Sequence, residues 1–253
     1  MSVQRRPGSA GVIVMPTYNE RANLERIVPR VRAAAPDLDL LVVDDGSPDG
    51  TGAYADELRA ADPAIHVLHR TSKEGLGAAY VAGFRLALAA GYPVIGEMDA
   101  DGSHLPEELP RLRAALTDAD LVVGARWIPG GEVRNWSRRR IWLSRGGNTY
   151  ARLLLAMPVR DATSGYRLFR ASALTTIDLD TVHSTGYVFQ TDLVHRALAA
   201  GLRVREVPIT FVDRVEGESK MSTAVAVESL ARITAWGVRD RWDRRRGRAG
   251  PAG

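Results

Sequence analysis

No cysteine occurs in the 253-residue chain, which excludes a disulfide framework, thiol nucleophiles and thiolate metal sites and fits a reducing compartment. Aromatic residues are sparse, at 6%. No apolar run approaches the roughly 18–20 residues needed to cross a bilayer. The run at 10–15 is too short for a signal-peptide core and ends in Pro-Thr-Tyr-Asn-Glu, so it reads as a first strand. Net charge is also small, +4, and the field of the whole molecule is weak. What positive charge there is sits in patches. Five arginines and no acid lie between Arg134 and Arg145, interleaved with Trp136 and Trp142; seven arginines face Asp240 and Asp243 between Arg232 and Arg248. Such patches suit phosphate groups, nucleic acid or an acidic membrane surface, a plain solvated face being the alternative.

The remaining composition, 45% hydrophobic and 25% charged, is that of a globular protein. Runs at 11–16, 39–45, 65–70, 93–101 and 119–126 read as buried strands. Segments 23–36, 51–61, 75–91 and 106–116 between them read as helices. Continuous apolar strands alternating with helices predict an α/β fold with a mostly parallel, doubly wound sheet. The second half reads as a helix at 141–157, a turn and strand at 161–170, a helix at 188–201, a strand at 203–214 and a helix at 223–242. The expected organisation is an N-terminal tail at 1–9, one domain at 10–242 and a disordered basic tail at 243–253. Gly75 and Gly77 lack the spacing of a dinucleotide fingerprint.

Ligands of such sheets bind beyond the carboxyl ends of the strands. Residues 16–20, 44–45, 99–101 and Arg126 all fall at such ends. Asp99 and Asp101, two apart, are expected to point to the same side of a strand end and converge on one ion. Without a cation between them, such like charges raise each other's pKa. A turn or helix cap is the plainer reading of the pair. As hard oxygen ligands they select Mg2+ or Mn2+, which take up substrate phosphates. Arg214 and Lys220, flanking a glycine in FVDRVEGESKMS, have the composition of a lid over phosphates.

The segments PTYNE, VVDDGSPDGT, MDADGSH, GAR, DATSGYRLF, GYVFQ and FVDRVEGESKMS occur in the order seen in dolichol-phosphate mannose synthases. From about residue 11 to 240 the chain resembles these family 2, GT-A-fold inverting glycosyltransferases, the bacterial polyprenol-monophosphomannose synthases above all. The resemblance implies metal-dependent transfer of mannose from GDP-mannose to a polyprenyl monophosphate, giving polyprenyl-phosphate mannose and GDP. It implies that Pro16, Tyr18, Glu20 and Asp45 line the nucleoside pocket, with Asp99 and Asp101 on the metal and diphosphate. Ser103 stands where some relatives carry a glutamine ligand, a water being the alternative, and Gly102 replaces a common leucine. Arg126, Arg140 and Ser144 match residues that hold the acceptor phosphate, and Arg214 and Lys220 match the lid. Asp101, Arg126 and Arg140 are thus the expected catalytic residues, and Asp192 reads as structural or sugar-positioning. The implied setting is peripheral, on the cytoplasmic face of a membrane, with a membrane-anchoring protein as a candidate partner. UDP-glucose or another sugar nucleotide is the alternative donor. A nucleic-acid-binding module is disfavoured, because no such signature is present and the acidic strand ends oppose one.

Overall fold

The computed structural model describes residues 3–182, 187–213 and 223–245. In chain order the elements are β1 (Gly11–Thr17), α1 (Arg21–Ala34), β2 (Leu38–Asp44), α2 (Thr51–Ala61), β3 (Ile65–His69), α3 (Leu76–Ala89), β4 (Val94–Glu97), α4 (Leu109–Ala115), β5 (Leu121–Ala125), β6 (Glu132–Arg134), α5 (Arg138–Leu154), β7 (Arg167–Arg170), α6 (Ala171–Ile177), α7 (Tyr187–Ala199), β8 (Val204–Pro208), β9 (Thr210–Val212) and α8 (Thr223–Arg245). Seven strands form one sheet in the order β3-β2-β1-β4-β7-β5-β8. All its pairings are parallel except those of β7, which runs antiparallel to β4 and β5. β6 and β9 make a small parallel ribbon beside it.

Both faces of the sheet are covered, as its apolar strands require. On one face α1 buries Leu24, Ile27, Val28 and Val31, a stripe at helical spacing, beside Leu109 and Leu112 of α4. On the other, Tyr80 of α3 stacks on Phe84 and on Phe189 of α7, and Phe84 meets Phe169 of β7 edge to face. Each such side chain contributes roughly 1.5–3 kcal/mol on burial. Gly83 lets α3 approach β1, since a Cβ there would stand 2.4 Å from Val14 Cγ1.

Several boundaries differ from the sequence reading. β4 stops at Glu97 instead of reaching residue 101, so Asp99 and Asp101 lie in the following turn and strand alternation does not aim them. The helix expected from 141 begins at Arg138, because the Ser137 hydroxyl accepts the Arg140 N–H at 3.3 Å and caps it. The expected strand 203–214 breaks at Ile209, β8 pairing with β5 and β9 with β6. β6 and α6 were not anticipated. α8 runs to Arg245, past the boundary read at 242, and residues 246–253 lie outside the described residues. In the segment read as an N-terminal tail, Arg6 docks on buried Asp39, its Nε donating to Oδ1 at 3.0 Å.

Candidate active site at the carboxyl edge of the sheet

Beyond β4 the chain makes a tight acidic turn. Gly102 takes φ +76°, where a side chain would be strained. The Ser103 N–H donates to Asp101 Oδ1 at 3.0 Å and its hydroxyl donates to the same oxygen. Ser103, considered as a third metal ligand, is thus turned onto Asp101. Asp99 Oδ1 accepts the Tyr80 hydroxyl at 2.9 Å, and the Asp99 N–H donates to His104 Nδ1 at 3.1 Å. That bond places the proton of a neutral His104 on Nε2. Burial pushes His104 down to about 4, and its ring stacks on Tyr166 at 4.9 Å. Among the described residues no three His, Cys, Asp or Glu gather into a closed metal cage. Two carboxylates at a sheet edge instead suit a hard cation that completes its shell with water and phosphate oxygens.

Across β7, at the end of β5, Arg126 is buried in a fork-to-fork pair with Asp161. Nε donates to Oδ2 at 2.8 Å and Nη2 to Oδ1 at 2.7 Å, while the Arg126 N–H also reaches Oδ2 at 2.8 Å. Nη2 continues to Thr163 Oγ1 at 2.9 Å, and Asn148 of α5 donates to that hydroxyl and to the Ser144 carbonyl. The guanidinium lies among Trp127, Trp136 and Phe211, 5.3–5.6 Å from their ring centres. Both indole Nε1 atoms are buried without a partner among the described residues. Arg140 stacks on the Trp136 ring at 3.9 Å and donates to Asp213 Oδ1 at 2.6 Å. Arg138 and Arg139 are exposed. Of three adjacent arginines, the fold turns Arg140 inward.

The residues expected to line a nucleoside pocket lie at the ends of β1 and β2. Lys73 Nζ sits 3.7 Å from the centre of the Tyr18 ring, just past the end of β1, which contains Pro16. Glu20 accepts the Asn23 side-chain amide at 2.6 Å. Asp45 accepts Arg70 Nη1 at 2.6 Å; burial raises its pKa against the lowering by Arg70. Behind the acidic turn, Glu97 and Arg167 face each other wholly buried, Oε1 to Nε 3.2 Å. Burial outweighs the arginine and pushes Glu97 up to about 8.

The fold therefore gathers Asp99 and Asp101 on one side of β7 and Arg126, Arg140 and Ser144 on the other, with Pro16 at the end of β1, Tyr18 and Glu20 in the loop after it and Asp45 just past β2. Arg214 and Lys220 lie outside the described residues. Asp192 accepts Arg196 Nε at 2.8 Å within α7. Sequence reasoning missed the roles of Asp161 and Thr163, although DATSG offered a signal: an acid beside small hydroxyl residues at a turn entering a strand.

A profile of glycosyl transferase family 2 matches residues 12–178. A polyprenol monophosphomannose synthase of Mycolicibacterium smegmatis is 56% identical over 96% of this chain and 92% of its own. An undecaprenyl-phosphate mannosyltransferase of Micrococcus luteus is 52% identical over 94% and 98%. Among solved structures, a mannosyltransferase from Pyrobaculum calidifontis, in complex with GDP-Man and Mn2+, superposes with a TM-score of 0.60 at 18% identity. That match covers 90% of this chain and 64% of the archaeal one. Glucosyl-3-phosphoglycerate synthase from Mycobacterium tuberculosis, with Mn2+, UDP-glucose and phosphoglyceric acid, gives 0.60 at 19%, covering 93% and 80%.

Proposed function

The chain belongs to glycosyl transferase family 2 and is a glycosyltransferase of GT-A fold, and we propose that it transfers mannose from GDP-mannose to a polyprenyl monophosphate. The observation that carries this reading is the pairing, at one sheet edge, of a two-carboxylate turn with an arginine cluster on an aromatic floor. Acid at Asp99 and Asp101 calls for a cation and a diphosphate; base at Arg126 and Arg140 calls for a second phosphate. A donor and an acceptor that both carry phosphate satisfy both halves. The identity to the named mannosyltransferases supports the same substrates.

Asp99 and Asp101 would hold the divalent cation. Bound there, Mg2+ or Mn2+ supplies Lewis-acid neutralisation of the leaving diphosphate. Pro16, Tyr18, Glu20 and Asp45 take the nucleoside, and Arg214 and Lys220 are assigned to the lid over the diphosphate. Arg126 and Arg140 orient the lipid phosphate, with Ser144 beside them on α5. The bond from the sugar C1 to the diphosphate oxygen breaks, and one from C1 to the lipid phosphate oxygen forms. GDP departs with the electron pair. A phosphate monoester, with a second pKa near ~6, is largely ionised at neutral pH and needs no dedicated base. Positioning is what the arginines contribute.

The acceptor lies in a bilayer, and the surface of α5 and α8 fits such an encounter. Trp142 is 78% and Leu153 67% exposed, with Leu143, Leu230, Val238 and Trp242 also exposed. No helix among the described residues is long and apolar enough to span a membrane. Peripheral binding at the cytoplasmic face, through this apolar surface and its arginines, completes the reading. The deciding experiment is transfer of radiolabelled mannose from GDP-mannose to a short polyprenyl phosphate, with and without chelator, beside UDP-glucose. Chelator-sensitive transfer from GDP-mannose alone is expected; transfer from UDP-glucose alone would replace the donor.

A further inference from the structure

A charge that the reaction does not touch lies between the two halves of the site. Arg167 has no exposed surface and stands in the antiparallel strand β7. There it faces Glu97 of β4 and Val123 of β5, the strands that lead to Asp99 and to Arg126. Its guanidinium donates to three main-chain carbonyls: Nε to Ser164 at 2.7 Å, Nη2 to Ala162 at 2.7 Å and Nη1 to Gln190 at 2.8 Å. The Gln190 side chain in turn donates to Glu97 Oε2 at 3.3 Å.

The carbonyls of Ala162 and Ser164 belong to the segment carrying Asp161 and Thr163, both bonded to Arg126. The same segment passes Asp99, since a Cβ on Gly165 would stand 3.7 Å from Asp99 Oδ2 and 3.4 Å from Gln190 Nε2. A buried guanidinium facing a carboxyl is no bargain for stability, because well-packed apolar side chains of similar volume commonly do as well. Its placement, however, ties three separate elements to one point.

We propose that Arg167 is a positioning residue that holds segment 161–165 between the acidic turn and the Arg126–Asp161 pair and so fixes their spacing. The kinetic part of this inference rests on the transferase reading; the structural part does not. Binding at either half depends on that half alone. Transfer between them depends on their separation, and a misplacement of about 1 Å costs on the order of 100-fold in rate.

The test compares Arg167→Met and Arg167→Lys with Phe169→Leu, a packing change on the same strand. Hydrogen exchange of the metal-free protein should quicken at 161–165 and at Arg126 in Arg167→Met, and stay unchanged there in Phe169→Leu. With GDP-mannose and a short polyprenyl phosphate, kcat should fall about 100-fold while each KM stays within about threefold. Lysine keeps the charge without the fork and should recover part of both readouts. Should the methionine variant not fold, the lysine variant carries both measurements. Wild-type kcat and exchange in a folded Arg167 variant would overturn the proposal, as would an equal kcat loss in Phe169→Leu. If the wild-type protein transfers no mannose, the functional reading fails and the exchange result alone decides on Arg167.

Discussion

Asp99 and Asp101 share a turn but not an environment. Asp99 is half-buried and takes a hydroxyl from Tyr80, whereas Asp101 is nearly buried and takes two donors from Ser103. Asparagine at either position keeps an acceptor oxygen for these bonds and removes the charge. Asp99→Asn and Asp101→Asn should therefore abolish transfer while thermal melting of the metal-free protein is unchanged or raised; near-wild-type activity in either would end the metal assignment. Arg140→Ala should lower acceptor efficiency about 10- to 150-fold, from the roughly 1.5–3 kcal/mol of a charge-assisted bond, with GDP-mannose binding spared. Arg138→Ala and Arg139→Ala, exposed on the same turn, should change vesicle binding more than catalysis. Glu97 gives a pH test. Burial raises it from an ordinary 4.5 to about 8, so protonated Glu97 favours the folded state. That contribution is complete below about pH 4.5 and disappears as pH climbs through about 8. Urea unfolding in chelator should show wild-type stability falling over this window and a flatter profile in Glu97→Gln. Parallel profiles would mean that Glu97 does not titrate there.

At the scale of elements, α8 is held to α5 by a close approach. A Cβ on Gly237 would come within 2.6 Å of Leu154 Cγ and 2.9 Å of its carbonyl oxygen, and Tyr150 Oη meets Thr234 Oγ1 at 2.6 Å. Gly237→Ala should thus separate the helices at a cost of about 1–3 kcal/mol, read as a lower melting temperature with altered Trp236 fluorescence. An unchanged melt and spectrum would show that α8 adjusts freely. The parallel strands and their helices were legible in the sequence because apolar runs alternate with helical stripes, as in the 24, 27, 28, 31 set of α1. The strand-end acids were legible for the same reason, since the fold class says where ligands sit. The reversal of β7 was not, because four residues of Arg-Leu-Phe-Arg carry no mark of direction or neighbour. Asp161 was missed with it: its partner Arg126 lies 35 residues earlier, and only the insertion of β7 brings them together. The Ile209 break likewise depends on two different partner strands, which local pattern does not record.

For the whole molecule, charge and apolar surface act together. Trp142, Leu153 and Trp242 are exposed on α5 and α8; both helices are rich in arginine and α5 has no acid. Attachment to anionic vesicles should be partly electrostatic, so high salt should release much of the protein, exposed charges being screened beyond about 3 Å at 1 M. Trp142→Ser should weaken the salt-resistant fraction. Retention of wild type through salt and alkaline washes would indicate deep insertion or a protein anchor. The position of β7 also has a consequence for synthesis. A growing chain presents β4 and β5 before β7 exists, yet the finished sheet keeps those two strands apart. Until β7 arrives, the free edge of β4 and both edges of β5 stand open, able to pair with each other or with another chain. A nascent chain stalled before Arg167 should therefore aggregate, and one released after Arg170 should be the first to lay the acidic turn and the Arg126 pair in their final order.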